Sequence, residues 1–489
     1  MRKKKILFVA SDFVESQYLW VLPIIDGFLQ NKNIKNLIFE KKLSKKILKE
    51  AYIKNFLKKY NIVYLNENKY LRLLKILKYI ILNFKTLILK LLNFKNLINI
   101  KKNKDWFQFQ INHGIWDYVN LKIDENNLRK KLYFKFISII ISLEKIYLVD
   151  KLIKNYNLKY AFLGHTVYSS RSLIASLRIN DVKVFTQASF NIHEQKKFDD
   201  VNWGDIDLKK FNYIRKNKNF KIDSNNYWLK RISGKGSYED SKIASINLST
   251  KPLIIKNFIF LHIFRDSPFN TIDKKRIFVD YFDWIDCTLK IVSKSEENWE
   301  FRFHPSHKRW GENQNKIFNN LLNKNCKLNK KNIFVNYSKN SNNEIFKNAN
   351  KVITFSGTSQ YEAVAHGLKP IVICNSPLLK INKNIVFNPS SISQYKNLIL
   401  KKDYRDFRHS KNTMNIAKDV IYFREKILRI KDMISGIDTY RNDSPTIISN
   451  NYRKTKEGVI KNYNSLLNAG KNLSRLKTIY SNVIKKYLR

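Results

Sequence analysis

The chain has 489 residues, too many for one ordinary core, so two domains are expected. A hydrophobic fraction of 44%, with 13% aromatics, 12 Gly and 8 Pro, excludes disordered, collagen-like and linker-dominated chains. Lys and Arg number 92 against 40 Asp and Glu, a formal net charge of +52, which points to an anionic partner: nucleic acid, a phospholipid surface or a phosphorylated substrate. Lys, Asn and Ile share A- and T-rich codons, so a low-GC genome is an equally open source of the excess, and only local clustering of the cations separates the two.

Met1 to Lys5 is basic like the start of a signal peptide, but the apolar run Ile6 to Ala10 is too short for one and ends at Ser11 and Asp12, so it reads as a buried strand. After it, NLIFE, NIVYL, YAFLGH and VKVFTQ are continuous apolar runs of the kind found in parallel sheets buried on both faces. Between them, residues 18–30, 44–59, 71–97, 128–155 and 170–180 have helical length and period. Residues 193–256 are polar and Asn/Lys-rich and read as an interdomain connection. A second α/β series then runs NFIFLHIF, NWEFRFHP, NIFVNY, KVITFSG and KPIVIC, with helices near 281–292, 315–322, 343–348 and 359–366. The remainder from 391 lacks strand signals and reads as helical. The expected fold is α/β, two Rossmann-like domains in tandem with a helical C-terminal extension, divided at 1–250, 251–390 and 391–489.

Cys287, Cys326 and Cys374 are widely spaced and form no CxxC, so neither a disulfide framework nor a zinc knuckle is expected, and a reducing compartment is the simplest setting. No stretch reaches the length of a membrane span. Residues 71–102 carry no acidic residue, and Lys78, Lys85 and Lys90 among them alternate with Leu, Ile and Phe. That spacing fits an interfacial helix on an anionic membrane, or a helix packed on the first sheet with a solvated Lys face.

Ligands of open α/β sheets bind beyond the carboxyl ends of the strands, which directs attention to two places in the second domain. Pro305 ends the strand NWEFRF and extends the backbone of His304, which with Lys308 or Arg309 is suited to a pyrophosphate. Ser356-Gly357-Thr358 joins KVITF to the next helix. Free N–H groups there, two hydroxyls and a glycine that permits close approach make an anion site, and Glu362, one turn on, is placed for ribose hydroxyls. Each feature also has a structural reading: Ser or Thr before a helix is ordinarily an N-cap.

His304-Pro305 followed by VITFSGTSQYEAVAHGLKPIVI, together with FLHIFRDSPFN and VDYFDWIDCTLKIVSKSEENWEFRFHPS, resembles the donor-binding half of GT-B glycosyltransferases, in particular the bacterial capsule polysaccharide biosynthesis group with its Kdo transferases and sialyltransferase-like enzymes. The resemblance covers residues 258–377 well and the first domain only by architecture. It implies a nucleotide-sugar donor, CMP-linked by preference, held by His304, Ser356 and Thr358, and a glycan or lipid-linked acceptor. It also implies a GT-B enzyme without cofactor, at the inner face of the cytoplasmic membrane if residues 71–102 are interfacial.

The non-hydrolysing UDP-sugar 2-epimerases are similar, but their Ser-Gly-Gly and Glu-Glu-Ala are here Ser356-Gly357-Thr358 and the single Glu362 before Ala363. Glycerophosphotransferases of wall polymer assembly share the same kind of donor-binding pair. A basic nucleic-acid-binding protein is the remaining alternative, but no RRM, KH or zinc module is recognisable.

For the acceptor side, a base from the first domain is required. Asp12 has the best position and Glu15 follows, although either suits a helix cap; Asp117 and His165 are further candidates. His113, Gly114 and Arg171 are placed to shape an acceptor pocket. No metal is expected: Asp205 and Asp207 have Asp-x-Asp spacing but lie outside a strand context, and the histidines form no HExxH.

Overall fold

The computed structural model describes residues 5–13, 15–65, 77, 81, 104–122, 130–164, 168, 170–188, 191–195, 206, 208–236, 239–246, 252–264, 277–278, 281–308, 311–325, 331–374, 376–401, 407–427, 445–476 and 487. Two separate sheets organise it. The first contains β1 (Lys5–Val9), β2 (Asn36–Phe39), β3 (Asn61–Tyr64), β4 (Asn157–Leu163), β5 (Lys183–Ala188) and β6 (Asn191–Gln195) in the order β3-β2-β1-β4-β5-β6. The second contains β7 (Asn257–Phe260), β8 (Trp299–Arg302), β9 (Ile333–Val335), β10 (Lys351–Thr354) and β11 (Ile371–Val372) in the order β11-β10-β7-β8-β9. All pairings are parallel except β5 with β6. This is the tandem Rossmann-like arrangement expected from the strand pattern.

Continuous apolar strands follow from burial on both faces. In β1, Leu7 and Val9 enter one core, while Phe8 with the following Ala10 enters another. In β7, Phe258 and Phe260 face one core, and Ile259 with the following Leu261 faces the other. Both sheets reverse direction once. The reversal lies between β1 and β4 in the first sheet and between β7 and β10 in the second, so each has a crevice where the chains leaving adjacent strands diverge.

Several helices of the second lobe start on serine. Ser341, Ser391 and Ser410 accept hydrogen bonds from the amides of Glu344, Gln394 and Thr413, three residues on. Residues assigned by composition to a polar connection belong to this lobe's core. Phe211, Ile214, Phe220, Tyr227 and Trp228, from helices Leu208–Arg215 and Lys218–Lys230, pack with Tyr361, Val364, Val420 and Phe423.

The C-terminal region divides between the lobes. Helices Ile392–Leu400 and Lys411–Tyr422 add Tyr395, Ile399, Val420 and Ile421 to second-lobe cores. Helices Pro445–Lys461 and Tyr463–Leu476 return to the first lobe, where Tyr452, Val459, Leu466 and Leu473 join the core around Leu22, Ile25 and Phe28 of helix Glu15–Lys32. That crossing is close because glycine lies on both sides. A Cβ on Gly27 would stand 1.9 Å from the Leu467 carbonyl oxygen, and one on Gly470 would stand 2.0 Å from that of Ile24.

The helix Lys104–Lys122 did not emerge from the hydrophobic pattern. With helix Lys131–Asn155 it reaches the second lobe: Val119 is buried in that lobe's core, and Trp116 and Phe134 pack against it. The expected helix at 71–97 lies outside the described residues, apart from Leu77 and Ile81. No helix among the described residues is long and apolar enough to cross a membrane.

Candidate functional site

Register builds the second-lobe site. Thr354 of β10 pairs with Phe260 of β7, which pairs with Arg302 of β8. Two residues beyond this aligned row stand Ser356, His262 and His304, on three adjacent strand ends that span the crevice between β10 and β7. The His262 and His304 rings are 5.6 Å apart between centroids. A Cβ built on Gly357 would lie 3.6 Å from His262 Cδ2. That is ordinary contact, so the residue is glycine because of its φ of +109° rather than for want of space. His262 was not singled out from sequence, although it ends the run NFIFLH and the rule that pointed to His304 applies to it equally.

A buried polar bracket fixes the two histidine loops. Gln314 Oε1 accepts from the His304 backbone N–H at 3.1 Å, and its Nε2 donates to the His262 carbonyl and to Glu312 Oε2, both at 3.0 Å. Glu312 Oε2 also accepts from the Phe264 N–H at 3.1 Å. The Tyr281 hydroxyl accepts from the His262 N–H. The Ser306 N–H donates to His304 Nδ1 at 3.2 Å, which leaves the ring proton on Nε2. Burial, then the neighbouring His262 and His307 rings, push the His304 pKa down to about 3. At neutral pH His304 is therefore an uncharged single donor, suited to an oxygen that gains negative charge.

The loop after β10 leaves its hydroxyls available. Thr358 occupies the cap position of helix Ser359–Ala365 but makes no side-chain cap bond. Among the described residues, neither its hydroxyl nor that of Ser356 has a hydrogen-bond partner. The N-cap reading of Thr358 thus does not describe its side chain. Ser359 Oγ instead donates to Thr354 Oγ1 at 3.1 Å, and Gln360 Nε2 donates to the Gly357 carbonyl at 2.9 Å, closing the turn from inside.

Glu362 is not a free carboxylate. Its Oε1 accepts from Arg231 Nε at 3.0 Å and Nη2 at 2.6 Å. Lys308 is exposed beyond His304, and Arg309 lies outside the described residues.

The first lobe carries a second cluster at its own switch point. Asp12, after β1, accepts from the Gly164 N–H after β4 at 2.8 Å and from the Ser170 hydroxyl at 2.9 Å, so its carboxylate bridges the diverging chains. Gly164 permits this approach, since a Cβ there would meet the Phe13 backbone at 2.8 Å. Glu40, at the end of β2, accepts from Lys145 Nζ at 2.6 Å and from the Ser11 N–H and hydroxyl at 2.8 and 2.9 Å. Burial is the largest influence on Asp12 and, with the Glu40 charge, holds its pKa above the ordinary range against the Gly164 and Ser170 hydrogen bonds and the Lys145 charge. For Glu40 burial also works upward, but Lys145 and Ser11 outweigh it and the net direction is down. Two carboxyls with pKa values moved in opposite directions is the pattern expected of an acid–base site. Glu40 lies inside the quoted run NLIFE and was missed.

Other candidates have different places. Glu15 is exposed in the first turn of its helix, where a carboxylate suits the positive helix end. Asp117 and Arg171 do not serve a pocket: both are fully buried and paired at 2.9 Å, and Arg171 Nη1 donates to Gln110 Oε1 at 3.0 Å. His113 is buried near them, and Gly114 is required because a Cβ would stand 2.6 Å from the Tyr168 carbonyl oxygen. His165, Asp205 and Asp207 lie outside the described residues. No group of three potential metal ligands occurs among the described residues.

No family model and no curated protein sequence matches the chain. Among solved structures it is similar to a glycosyltransferase from Rickettsia africae, with 11% identity, 96% of this chain and 99% of that chain covered, and a TM-score of 0.25. A beta Kdo 2,4 transferase from Thermosulfurimonas dismutans matches at 8% identity over 60% of this chain and 87% of that one, with a TM-score of 0.31. A UDP-GlcNAc 2-epimerase from Neisseria meningitidis, bound to UDP-GlcNAc, matches at 9% identity over 86% and 99%, with a TM-score of 0.24. At TM-scores this low the superpositions add nothing to the strand topology and side-chain geometry of the chain itself.

Proposed function

We propose that the protein is a GT-B glycosyltransferase that binds a nucleotide sugar, CMP-linked by preference, at the carboxyl ends of β10, β7 and β8 and extends a surface or capsular glycan. The observation that supports this best is the alignment of Ser356, His262 and His304 across the crevice, with Gly357 in a left-handed conformation and the hydroxyls of Ser356 and Thr358 available. Neutral donors converging on one place suit a phosphate whose charge grows as it leaves. In the proposed reaction an acceptor hydroxyl oxygen bonds to the anomeric carbon and the bond from that carbon to the nucleotide phosphate breaks, with its electron pair going to the phosphate. Asp12 takes the hydroxyl proton. His304 Nε2–H and the loop at 356–358 stabilise the departing phosphate, and Lys308 supplies positive charge at its edge, with Arg309, next in sequence, the second candidate cation. Glu15, exposed nearby in sequence, is the second candidate base. No metal or cofactor enters these steps.

Membrane association belongs to the same proposal. It rests on the basic residues of 71–102 and on helix Lys131–Asn155, where Leu132, Tyr133 and Phe136 are 79%, 59% and 52% exposed beside exposed Lys130. Vesicles containing anionic lipid should retain the protein at low salt, and Lys→Glu changes at Lys78, Lys85 and Lys90 should release it; unchanged binding would remove this part.

A thermal-shift screen against CMP, UDP, CDP and GDP tests the donor site, because a ligand that binds only the folded state raises apparent stability. The stabilising nucleotide should be released from its sugar donor in the presence of acceptor, and His304→Ala should abolish most turnover without loss of fold. Full turnover in that variant refutes the assigned site. Interconversion of a UDP-sugar without nucleotide release would instead identify an epimerase, and donor-derived glycerol phosphate transfer would identify a glycerophosphotransferase.

A further inference from the structure

We propose that Arg231 is the positioning residue for the nucleotide ribose, holding Glu362 so that one carboxylate oxygen is reserved for the ribose diol. The inference rests on the donor-site reading above. Arg231 grips Glu362 through Nε and Nη2, and both hydrogen bonds fall on Oε1. Among the described residues Oε2 has no hydrogen-bond partner, and the Glu362 side chain is 12% exposed. The guanidinium, itself 3% exposed, is held from the other side by Glu425 Oε1 at 2.5 Å, while the Tyr227 hydroxyl occupies Glu425 Oε2 at 2.5 Å. One cation therefore lies between two carboxylates, and three of their four oxygens are occupied. The oxygen left without a donor among the described residues is Glu362 Oε2, one turn from Thr358. An anionic acceptor at that place repels phosphate and suits hydroxyl donors, so the group it takes is a vicinal diol. Glu425 lies in a single π-helical turn, Phe423–Ile427, and Arg231 begins a kinked turn in which Gly234 has a φ of +78°.

Titration calorimetry with CMP and UDP and their 2′,3′-dideoxy counterparts tests this. The wild type should prefer the ribonucleotide by about tenfold or more, the worth of a charge-assisted hydrogen bond. Arg231→Met should reduce that preference to within about twofold by weakening ribonucleotide binding, with dideoxynucleotide affinity unchanged. Arg231→Lys keeps the charge without the planar fork; it should lose most of the preference too and carries the test if the Met variant fails to fold. Arg215→Met removes a comparable ion pair, to Asp419 at 2.8 Å, from the same lobe and should leave the preference intact. An unaltered preference in both Arg231 variants, or a wild type that binds nucleotide without any preference, overturns the inference and leaves the donor site standing. A wild type that binds none of the nucleotides overturns both.

Discussion

Replacing Gly27 or Gly470 with alanine sets two effects of opposite sign against each other. In an exposed helix, Gly→Ala would stabilise by about 1 kcal/mol through backbone entropy. At this crossing the new Cβ of Gly27 would sit 1.9 Å from the Leu467 carbonyl oxygen and 3.0 Å from the Lys471 nitrogen, and that of Gly470 would sit 2.0 Å from the Ile24 oxygen and 3.0 Å from the Phe28 nitrogen. Carbon and carbonyl oxygen approach to about 3.3 Å, so the helices must part by roughly 1.3 Å or shift along one another. Backbone is in the way on both sides, so no side-chain rotation relieves the clash. A gap of that size forfeits half or more of the dispersion energy between facing atoms, among them Ile24, Phe28, Leu466 and Leu473. Overpacking of this kind costs about 1–3 kcal/mol and outweighs the propensity gain. Each variant should therefore unfold at lower temperature and lose hydrogen-exchange protection in helix Tyr463–Leu476. The double variant should cost less than the sum, because one separation serves both. A raised melting temperature, or unchanged protection, would refute the close crossing.

Two further outcomes concern the first lobe. If Asp12 is the base, the acid limb of kcat/KM should lie above the range of an ordinary aspartate, because its folded pKa is raised; Glu40→Gln removes a charge that raises it and should move the limb down. In stability the two carboxyls act oppositely: Glu40, with a lowered pKa, contributes above its unfolded value and loses the contribution as pH falls, while Asp12 contributes at low pH and loses it as pH rises through its folded pKa. Arg171→Met leaves Asp117 buried without its partner and should destabilise by about 3–5 kcal/mol in chemical denaturation, with nucleotide affinity unchanged.

The parts of the fold that were legible, and those that were not, have physical causes. Both sheets could be read because their strands are buried on two faces and carry unbroken apolar runs. β6 escaped because NIHEQ is an edge strand whose polar residues pair locally, with Gln195 Nε2 donating to Thr186 Oγ1 at 2.7 Å. Helix Lys104–Lys122 escaped because part of its buried face is polar: Gln110, His113 and Asp117 are all withdrawn from water, two of them on Arg171. Residues 208–230 were read as a connection on composition, yet Phe220, Tyr227 and Trp228 have helical spacing, and periodicity was the better guide. Residue types at strand ends singled out His304, Ser356, Thr358 and Asp12 as candidates. Sequence could not show that His262 stands level with His304, because that depends on register between strands about 40 residues apart. Nor could it show Arg231 on Glu362, a contact that exists only through packing.

Where the cations lie decides what the +52 charge can do. Several cations withdrawn from water are matched within the fold: Arg171 by Asp117, Arg231 by Glu362 and Glu425, Lys351 by Glu297, and the half-buried Lys145 by Glu40. The first-lobe cluster joins two carboxyls to one lysine, and the second-lobe site combines a neutral histidine, hydroxyls and a carboxylate. Neither is a basic trough. Nucleotide recognition by neutral donors requires few counterions to be displaced, whereas a duplex or single strand held by surface lysines displaces one for nearly every phosphate contact. Nucleotide affinity should therefore fall by no more than about tenfold between 50 and 200 mM salt, against about a thousandfold or more for a nucleic acid held through six or more phosphates. A steep salt dependence for the mononucleotide would show that surface lysines, rather than the strand-end donors, hold its phosphate.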